Sequence, residues 1–235
     1  MPRIAALVPM RHISERVPGK NYRALAGKPL YSYILETLLR CPEVSEVVVD
    51  TDSPVIREGV QRDFPRVRLI DRPEHLRGGE VSTNEVIRHD VSLVEAPFYL
   101  QTHSTNPLLR AETISAAVAR FLDAYPDHDS LFSVTRLQRR LWDAQGKAVN
   151  HDPAVLLRTQ DLPPLYEENS CIYLFEKETF LARRNRIGAR PLMFEMDVLE
   201  SWDIDDAADF EIAEALMVRM QRAHGRGASP PAERG

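Results

Sequence analysis

Cysteine is scarce in this chain. Cys41 and Cys171 are the only two among 235 residues, far apart and without the spacing of a metal site, which excludes a disulfide scaffold and suits reduced, buried thiols in a cytoplasmic protein. No apolar run approaches the roughly 20 residues of a membrane-spanning helix. The segment from Met1 to Met10 ends at Arg11 with no small-residue cleavage site, so it reads as a strand and not as a secretory signal. The G-x-x-x-x-G-K-[ST] phosphate loop is missing, because Gly19-Lys20 is followed by Asn21 and no glycine stands five positions earlier. No G-x-G-x-x-G occurs either, which disfavours both a Walker ATPase and a standard dinucleotide-binding dehydrogenase. An excess of positive charge is also lacking. Lys and Arg number 30 against 35 Asp and Glu, a net charge of -5, which argues against a general nucleic-acid binder.

What is present begins with a locally basic loop. Directly after the apolar run from Ile4 to Pro9 come Arg11, His12, Ser14, Arg16, Gly19, Lys20 and Asn21. Guanidinium and ammonium donors beside free backbone N–H groups are chemically suited to phosphate, so the loop reads as a site for a small anionic ligand. With 43% hydrophobic and 28% charged residues, the chain can bury a substantial core in one large domain. Short β-branched runs (Arg3 to Met10, Glu46 to Asp52, Val67 to Asp71, Phe98 to Gln101, Ser130 to Thr135) alternate with helical patterns (Pro29 to Arg40, Pro54 to Asp63, Thr83 to Val94, Ala111 to Ala124). Repeated strand-helix-strand units predict an α/β fold with a mostly parallel sheet covered on both faces and a ligand site at the carboxyl ends of its strands. The alternation lapses between Arg136 and Asn169, which predicts a subdomain or dimer arm. It resumes with a strand from Ser170 to Glu176, a helix from Glu178 to Arg184, a strand from Arg190 to Met196 and a helix from Ala207 to Gln221. The sequence therefore predicts one α/β domain over 1–224 and a disordered Gly/Pro/Ala-rich tail over 225–235.

A second chemical signal sits near the C-terminus, in Ser201-Trp202-Asp203-Ile204-Asp205-Asp206. Residues two apart in an extended segment face the same way, so Asp203 and Asp205 can converge on one divalent cation. Helix capping is the plainer alternative. It accounts for Asp206 before Ala207 and leaves Asp203 unexplained. A basic loop together with paired carboxylates is a kit for nucleotidyl transfer, in which Mg²⁺ and cations stabilise the charge that collects on a pyrophosphate leaving group.

Ordered motifs along nearly the whole chain then carry a resemblance. Val8-Pro9-Met10-Arg11 through Val17-Pro18-Gly19-Lys20-Asn21, Leu25 to Leu30, Val48 to Asp52, Asp71-Arg72-Pro73, Leu100-Gln101 with Asn106 to Arg110, Asn169 to Tyr173 and Asp203-Ile204-Asp205 resemble the acylneuraminate cytidylyltransferase and CMP-Kdo synthetase family. That resemblance implies a Rossmann-like nucleotidyltransferase (GT-A-like) fold and a homodimer formed through 136–169, while the net charge and the short apolar runs argue for no nucleic-acid or membrane partner. It also implies phosphate contacts of CTP from Arg11, Ser14 and Lys20, to which the chemistry of the loop adds Arg16, ribose or cytosine contacts from Asn21, Arg72, Ser82 and Thr83, and Mg²⁺ on Asp203 and Asp205. Arg11, Lys20, Asp203 and Asp205 are the expected catalytic set, and Gln101, His103 and Arg158 are the expected acceptor contacts.

The chain also departs from the family pattern. Ile13-Ser14-Glu15-Arg16 replaces the usual Gly-Ser-Lys-Gly, His103 enters the string after Gln101, and Glu167-Glu168 precedes Asn169 where a basic residue is common. The first of these bears on phosphate geometry, and the other two gather around the expected acceptor pocket. The expected reaction is CMP transfer from CTP to an acidic acceptor with release of pyrophosphate, the acceptor being a nonulosonic (sialic-like) sugar acid. The alternatives are a small phosphonate acceptor read by Arg136, Arg139, Arg140, Arg158 and Arg190, a non-catalytic CTP-binding regulatory module, and a glycosyltransferase of related fold. The last is disfavoured because no acid stands at Leu100-Gln101-Thr102.

Overall fold

The computed structural model describes residues 2–226. Strand β1 (Ile4–Met10) is apolar throughout because it lies at the centre of the sheet with both faces covered, where alternation would place polar groups in the core. In the turn that follows, Gly19 adopts φ 67°, and a Cβ there would meet the Tyr22 ring at 2.7 Å, so the position requires glycine. A small hairpin, β2 (Ala24–Leu25) and β3 (Lys28–Pro29), leads into α1 (Leu30–Leu39). Then come β4 (Val44–Thr51), α2 (Pro54–Asp63), β5 (Arg68–Asp71), α3 (Thr83–Leu93), β6 (Phe98–Gln101), α4 (Ala111–Ala124) and β7 (Ser130–Leu137). The chain ends with β8 (Leu165–Glu176), α5 (Lys177–Arg183), β9 (Pro191–Glu195) and α6 (Ala207–Arg226). Local chemistry sets several boundaries. Ser53 caps α2 ahead of Pro54 by accepting from the Ile56 amide, and Ser82 caps α3 by accepting from the Glu85 amide.

The main sheet has the order β5-β4-β1-β6-β8-β7-β9, with β4, β1 and β6 in parallel register at its centre. Strand β8 pairs antiparallel with both β6 and β7, while β9 runs parallel to β7, so β8 alone opposes the rest. Helices α1, α2 and α4 cover one face through Ile34, Leu35, Leu38, Ile56, Val60, Ile114, Val118 and Phe121. Helices α3 and α5 cover the other through Ile87, Val91 and Phe180. A third cluster joins Phe210, Ala213 and Met217 of α6 to Val17, Leu25, Leu30 and Ile204, which binds the C-terminal helix to the opening loop.

Two expected boundaries move. The irregular stretch is shorter than 136–169, because β7 continues to Leu137 and β8 begins at Leu165. The strand is hard to read from sequence because a bulge interrupts it: the register shifts between Phe132 and Val134, and Ser170 adopts φ 59°. What remains, 138–164, is an arm carrying the bridge Trp142–Ala148 and a short 3₁₀ turn, Thr159–Asp161. The helix α6 also extends five residues past Gln221 and takes in 225 and 226 of the expected tail; 227–235 lie outside the described residues.

Candidate active site

The loops that leave β1, β5 and β6 at their carboxyl ends surround a cleft of about 980 Å³, the size of a pocket for a small-molecule ligand. Arg11, Ser14, Arg16, Lys20 and Asn21 all line it, as do Thr83, His103, Asp203 and Asp205. The basic loop is fixed from behind. Asn21 donates to the Arg11 carbonyl at 2.8 Å and accepts from Ser104 Oγ at 2.7 Å, and the His12 amide donates to Asp52 at 2.8 Å. Val17 anchors the same loop in the core beside Ile204.

That Ile204 explains how two acids reach the cleft together. It is fully buried and its amide donates to the Thr105 carbonyl at 3.0 Å, so its neighbours on either side, Asp203 and Asp205, are both turned to the cleft. Lys20 Nζ donates to the Ile204 carbonyl at 2.5 Å and lies 3.9 Å from Asp205. Burial lowers the Lys20 pKa, and the charges of Asp203 and Asp205 oppose that shift. Arg16 donates to Asp205 Oδ1 at 2.7 Å. Asp203 is largely buried; burial raises its pKa against a hydrogen bond from Thr105, and its Oδ1 has no hydrogen-bond partner. An orphaned buried carboxylate oxygen beside a second carboxylate fits a hard divalent cation, which prefers anionic oxygen ligands. Capping is handled by other residues. Asp206 accepts from the Asp209 amide at 3.0 Å, and Asp209 accepts from the amides of Asp205 and Asp206 at 3.0 Å each.

Four expected site residues do not line the cleft. Arg72 is buried and donates through Nε to Asp50 Oδ1, an ion pair that does not reach the cleft lining. Ser82 is occupied as the cap of α3. Gln101 is fully buried outside the cleft lining, its amide taken up by Arg186, Thr102 and His103. Arg158 is 74% exposed on the arm and paired with Asp161. The other arginines considered for a phosphonate, Arg136, Arg139, Arg140 and Arg190, are also absent from the cleft lining. Sequence reasoning missed Arg186, Ser170, Thr105 and the segment Arg77 to Val81, which line it. Gly78-Gly79 was the available signal for that segment, since a Cβ on Gly79 would come to 3.3 Å from Glu15 across the opening.

His103 has a defined state. Its pKa is pushed down to about 3 by burial and by the charges of Arg186 and Lys20, so it is neutral. The Gln101 amide nitrogen lies 3.1 Å from its Nε2; as that nitrogen only donates, Nε2 accepts and the proton is assigned to Nδ1.

Residues 5–224 match the family model described as cytidylyltransferase. The N-acylneuraminate cytidylyltransferase of Escherichia coli O18:K1:H7 is 28% identical over 229 residues, which make up 94% of this chain and 53% of that protein. The CMP-N,N'-diacetyllegionaminic acid synthase of Legionella pneumophila is 30% identical over 239 residues, 94% of this chain and 99% of that protein. The chain thus spans about half the length of the first and nearly all of the second. Among solved structures, a CMP:2-keto-3-deoxy-manno-octonic acid synthetase complexed with CTP superposes with a TM-score of 0.70 at 18% identity, covering 93% of this chain and 99% of that one. The 4-diphosphocytidyl-2C-methyl-D-erythritol synthase of Anaerococcus prevotii gives 0.68 at 13% identity, covering 93% and 97%. At such identities the likeness is one of fold, and the fold is the nucleotidyltransferase type expected from the sequence.

Proposed function

This chain belongs to the cytidylyltransferase family, and from that premise we propose that it transfers CMP from CTP to a nonulosonic (sialic-like) sugar acid with release of pyrophosphate. The observation that carries the reading is the convergence of Arg11, Ser14 and Lys20 with Asp203 and Asp205 on one cleft. The cations bind the triphosphate and hold it in line with the incoming hydroxyl. That oxygen forms a bond to the α-phosphorus while the bond to the bridging oxygen of the β-phosphate breaks. Pyrophosphate leaves with the electron pair and the hydroxyl proton passes to solvent. Asp203 and Asp205 would hold Mg²⁺, which supplies a hard Lewis acid for phosphate oxygens. His103 is not the base in this scheme, because Nε2 already accepts a hydrogen bond and Nδ1 already carries a proton.

Two copies pair through the arm 138–164 in this reading. Trp142, Val149, Val155, Leu156 and Leu157 stand exposed there, an apolar group that a second protomer would cover.

Thermal-shift titration with CTP, ATP, GTP and UTP in the presence of Mg²⁺, followed by pyrophosphate release with a panel of sugar acids, tests the assignment. Selective stabilisation by CTP and acid-dependent pyrophosphate are expected. Equal stabilisation by ATP would overturn the nucleotide assignment, and CTP turnover without any acceptor requirement would overturn the transfer.

A further inference from the structure

Two cations of the cleft lining, Arg77 and Arg186, have no place in the scheme above, and Arg77 is turned to the backbone, its Nε donating to the Arg72 carbonyl at 3.0 Å. Arg186 follows α5, lines the cleft, and has no carboxylate within ion-pair distance among the described residues. Its guanidinium carbon lies 3.9 Å from the centre of the Tyr173 ring, and Nη1 donates to Gln101 Oε1. Glu168 exerts a favourable field on it, but that carboxylate is taken by the Tyr173 hydroxyl. Burial disfavours the charge of Arg186 and lowers its pKa, so the cleft holds a largely desolvated cation with no carboxylate paired to it among the described residues.

The position of Arg186 is built, not incidental. Its own amide donates to Asn84 Oδ1 on α3 at 3.4 Å, and the Ile187 amide donates to Asn185 Oδ1 at 3.0 Å. The Gly188 amide reaches Ser130 Oγ at 2.8 Å, and the Ala189 and Arg190 amides reach the two oxygens of Asp129 at 3.0 Å each. The segment is thereby fastened to α3 on one side and to β7 on the other. Gln101 is oriented just as firmly, since its oxygen accepts from Arg186 while its nitrogen donates to the Thr102 carbonyl at 3.0 Å and to His103. Fixing a side chain through its neighbours before a ligand arrives is how a recognition site limits the entropy lost on binding.

Arg186 and Lys20 are held by different parts of the fold: Arg186 by Asn84, Gln101 and the Tyr173 ring, Lys20 by the Ile204 carbonyl and Asp205. Lys20 responds to Arg11, Arg16, Asp203 and Asp205, whereas Arg186 responds to Tyr173 and Glu168. His103 joins the Arg186 side through its hydrogen bond with Gln101, and the charges of both Arg186 and Lys20 act on it. We propose that Arg186, held by Gln101 and stacked on Tyr173, binds the carboxylate of the acceptor and is the specificity-determining cation of that side of the cleft. This deepens the cytidylyl-transfer reading and rests on it. A single guanidinium fork matches one carboxylate, which it can bind through two parallel N–H donors. A phosphonate dianion calls for further cations, and the arginines of the arm do not line the cleft.

The test uses the full chain with Mg²⁺ and a CTP analogue whose α,β-bridge is methylene, so that binding is measured without turnover. N-acetylneuraminic acid, N,N'-diacetyllegionaminic acid and 3-deoxy-manno-octulosonic acid are titrated by calorimetry, beside the methyl ester of the first and 2-aminoethylphosphonate. Wild type is expected to bind at least one of the sugar acids and to bind neither the ester nor the phosphonate. Arg186→Met is expected to weaken that acid at least tenfold, and Arg186→Lys to recover part of the loss. Both variants should keep the wild-type melting temperature and the wild-type response to CTP, which separates acceptor loss from misfolding. Undiminished acid binding by Arg186→Met overturns the proposal, as does tight binding of the ester or preference for the phosphonate. Failure of all three acids with wild type, CTP response intact, also overturns it. Absence of a CTP response in wild type defeats instead the cytidylyl-transfer reading on which it stands.

Discussion

Arg16 Nη2 lies 2.7 Å from Asp205 Oδ1, so one of the two carboxylates at the cleft already holds a cation supplied by the opening loop, 189 residues away. Both side chains are at least half exposed, which limits such a pair to roughly 0.2–1 kcal/mol. A divalent ion entering at Asp205 competes with that guanidinium. Arg16→Gln is therefore expected to raise the affinity of the nucleotide-free protein for Mn²⁺ by up to about fivefold, the equivalent of 1 kcal/mol. Titration followed by electron paramagnetic resonance checks it. An unchanged or weaker Mn²⁺ affinity would remove Arg16 as a competitor.

A second expectation concerns Gly188. A Cβ there would lie 2.1 Å from Asp129 Oδ1, the oxygen that also receives the Arg190 amide. Gly188→Ala must therefore push the segment carrying Arg186 away from β7. KM for the acid acceptor should rise while KM for CTP stays within about twofold, and the melting temperature should fall by a few degrees, in line with a loss of about 1–3 kcal/mol. Equal changes in both KM values would mean that the segment does not serve the acceptor end.

The fold was largely legible because its strands and helices carry their own periodicities. Helices α2 and α4 begin and end where the sequence pattern placed them, since Ser53-Pro54 gives an N-terminal signal and the apolar face of α4 is regular. β8 was truncated in the sequence reading because its bulge breaks the two-residue alternation at Asn169 to Ile172. The basic loop and the paired acids of the cleft were legible for a similar reason: they are close in sequence, within 11–21 and 203–205. The end proposed for the acceptor was not. Arg186 is one of four arginines between 183 and 190, and only the tertiary fastening of that segment to Asn84, Ser130 and Asp129 turns one of them into the cleft. Arg72 fails in the opposite direction, for nothing local signals that Asp50 lies opposite it in the folded sheet.

That same buried pair sets a pH dependence. Asp90 of α3 is buried against Asp50, to which its protonated carboxyl donates, and no other donor among the described residues reaches its oxygens or Asp50 Oδ2. Burial first, and the charge of Asp50 second, push the Asp90 pKa up to about 9. The folded chain therefore keeps a proton on Asp90 between about pH 4, where an unfolded aspartate ionises, and pH 9. Within that window the native state binds one more proton than the unfolded state, so stability falls as pH rises, by up to about 1.4 kcal/mol per pH unit. Asp90→Asn is neutral at every pH. Urea midpoints should show the variant gaining on wild type from pH 5 to pH 9, and parallel curves for the two proteins would contradict the shift.

The arm supplies a fourth expectation. Leu156 is 90% exposed, beside Val155 and Leu157. If a second copy covers this group, light scattering at micromolar concentration should give twice the chain mass for wild type and the chain mass for Leu156→Glu. A wild-type monomer under these conditions would contradict the pairing.

The sharpest test falls on Asp203 and Asp205, because here stability and activity are expected to part. An amide preserves the shape of the carboxylate but removes the charge that a hard cation prefers, so either change to Asn should lower pyrophosphate release by two or three orders of magnitude, roughly 3–4 kcal/mol of transition-state stabilisation. If the acids served only to cap α6, the same changes would lower stability by about 1 kcal/mol or less and spare turnover, since Asn is itself a good cap. The local geometry already weakens that alternative, because the capping bonds belong to Asp206 and Asp209. Asp203 goes further. Its charge is disfavoured by burial and by Asp205, and Oδ1 has no partner, so Asp203→Asn relieves an unfavourable group and should hold or raise the melting temperature. A residue that destabilises the fold while supporting the reaction is the signature of a site kept for chemistry. Pyrophosphate release and melting temperature measured on the same two variants decide the matter: near-normal turnover in both would remove the metal site from the mechanism.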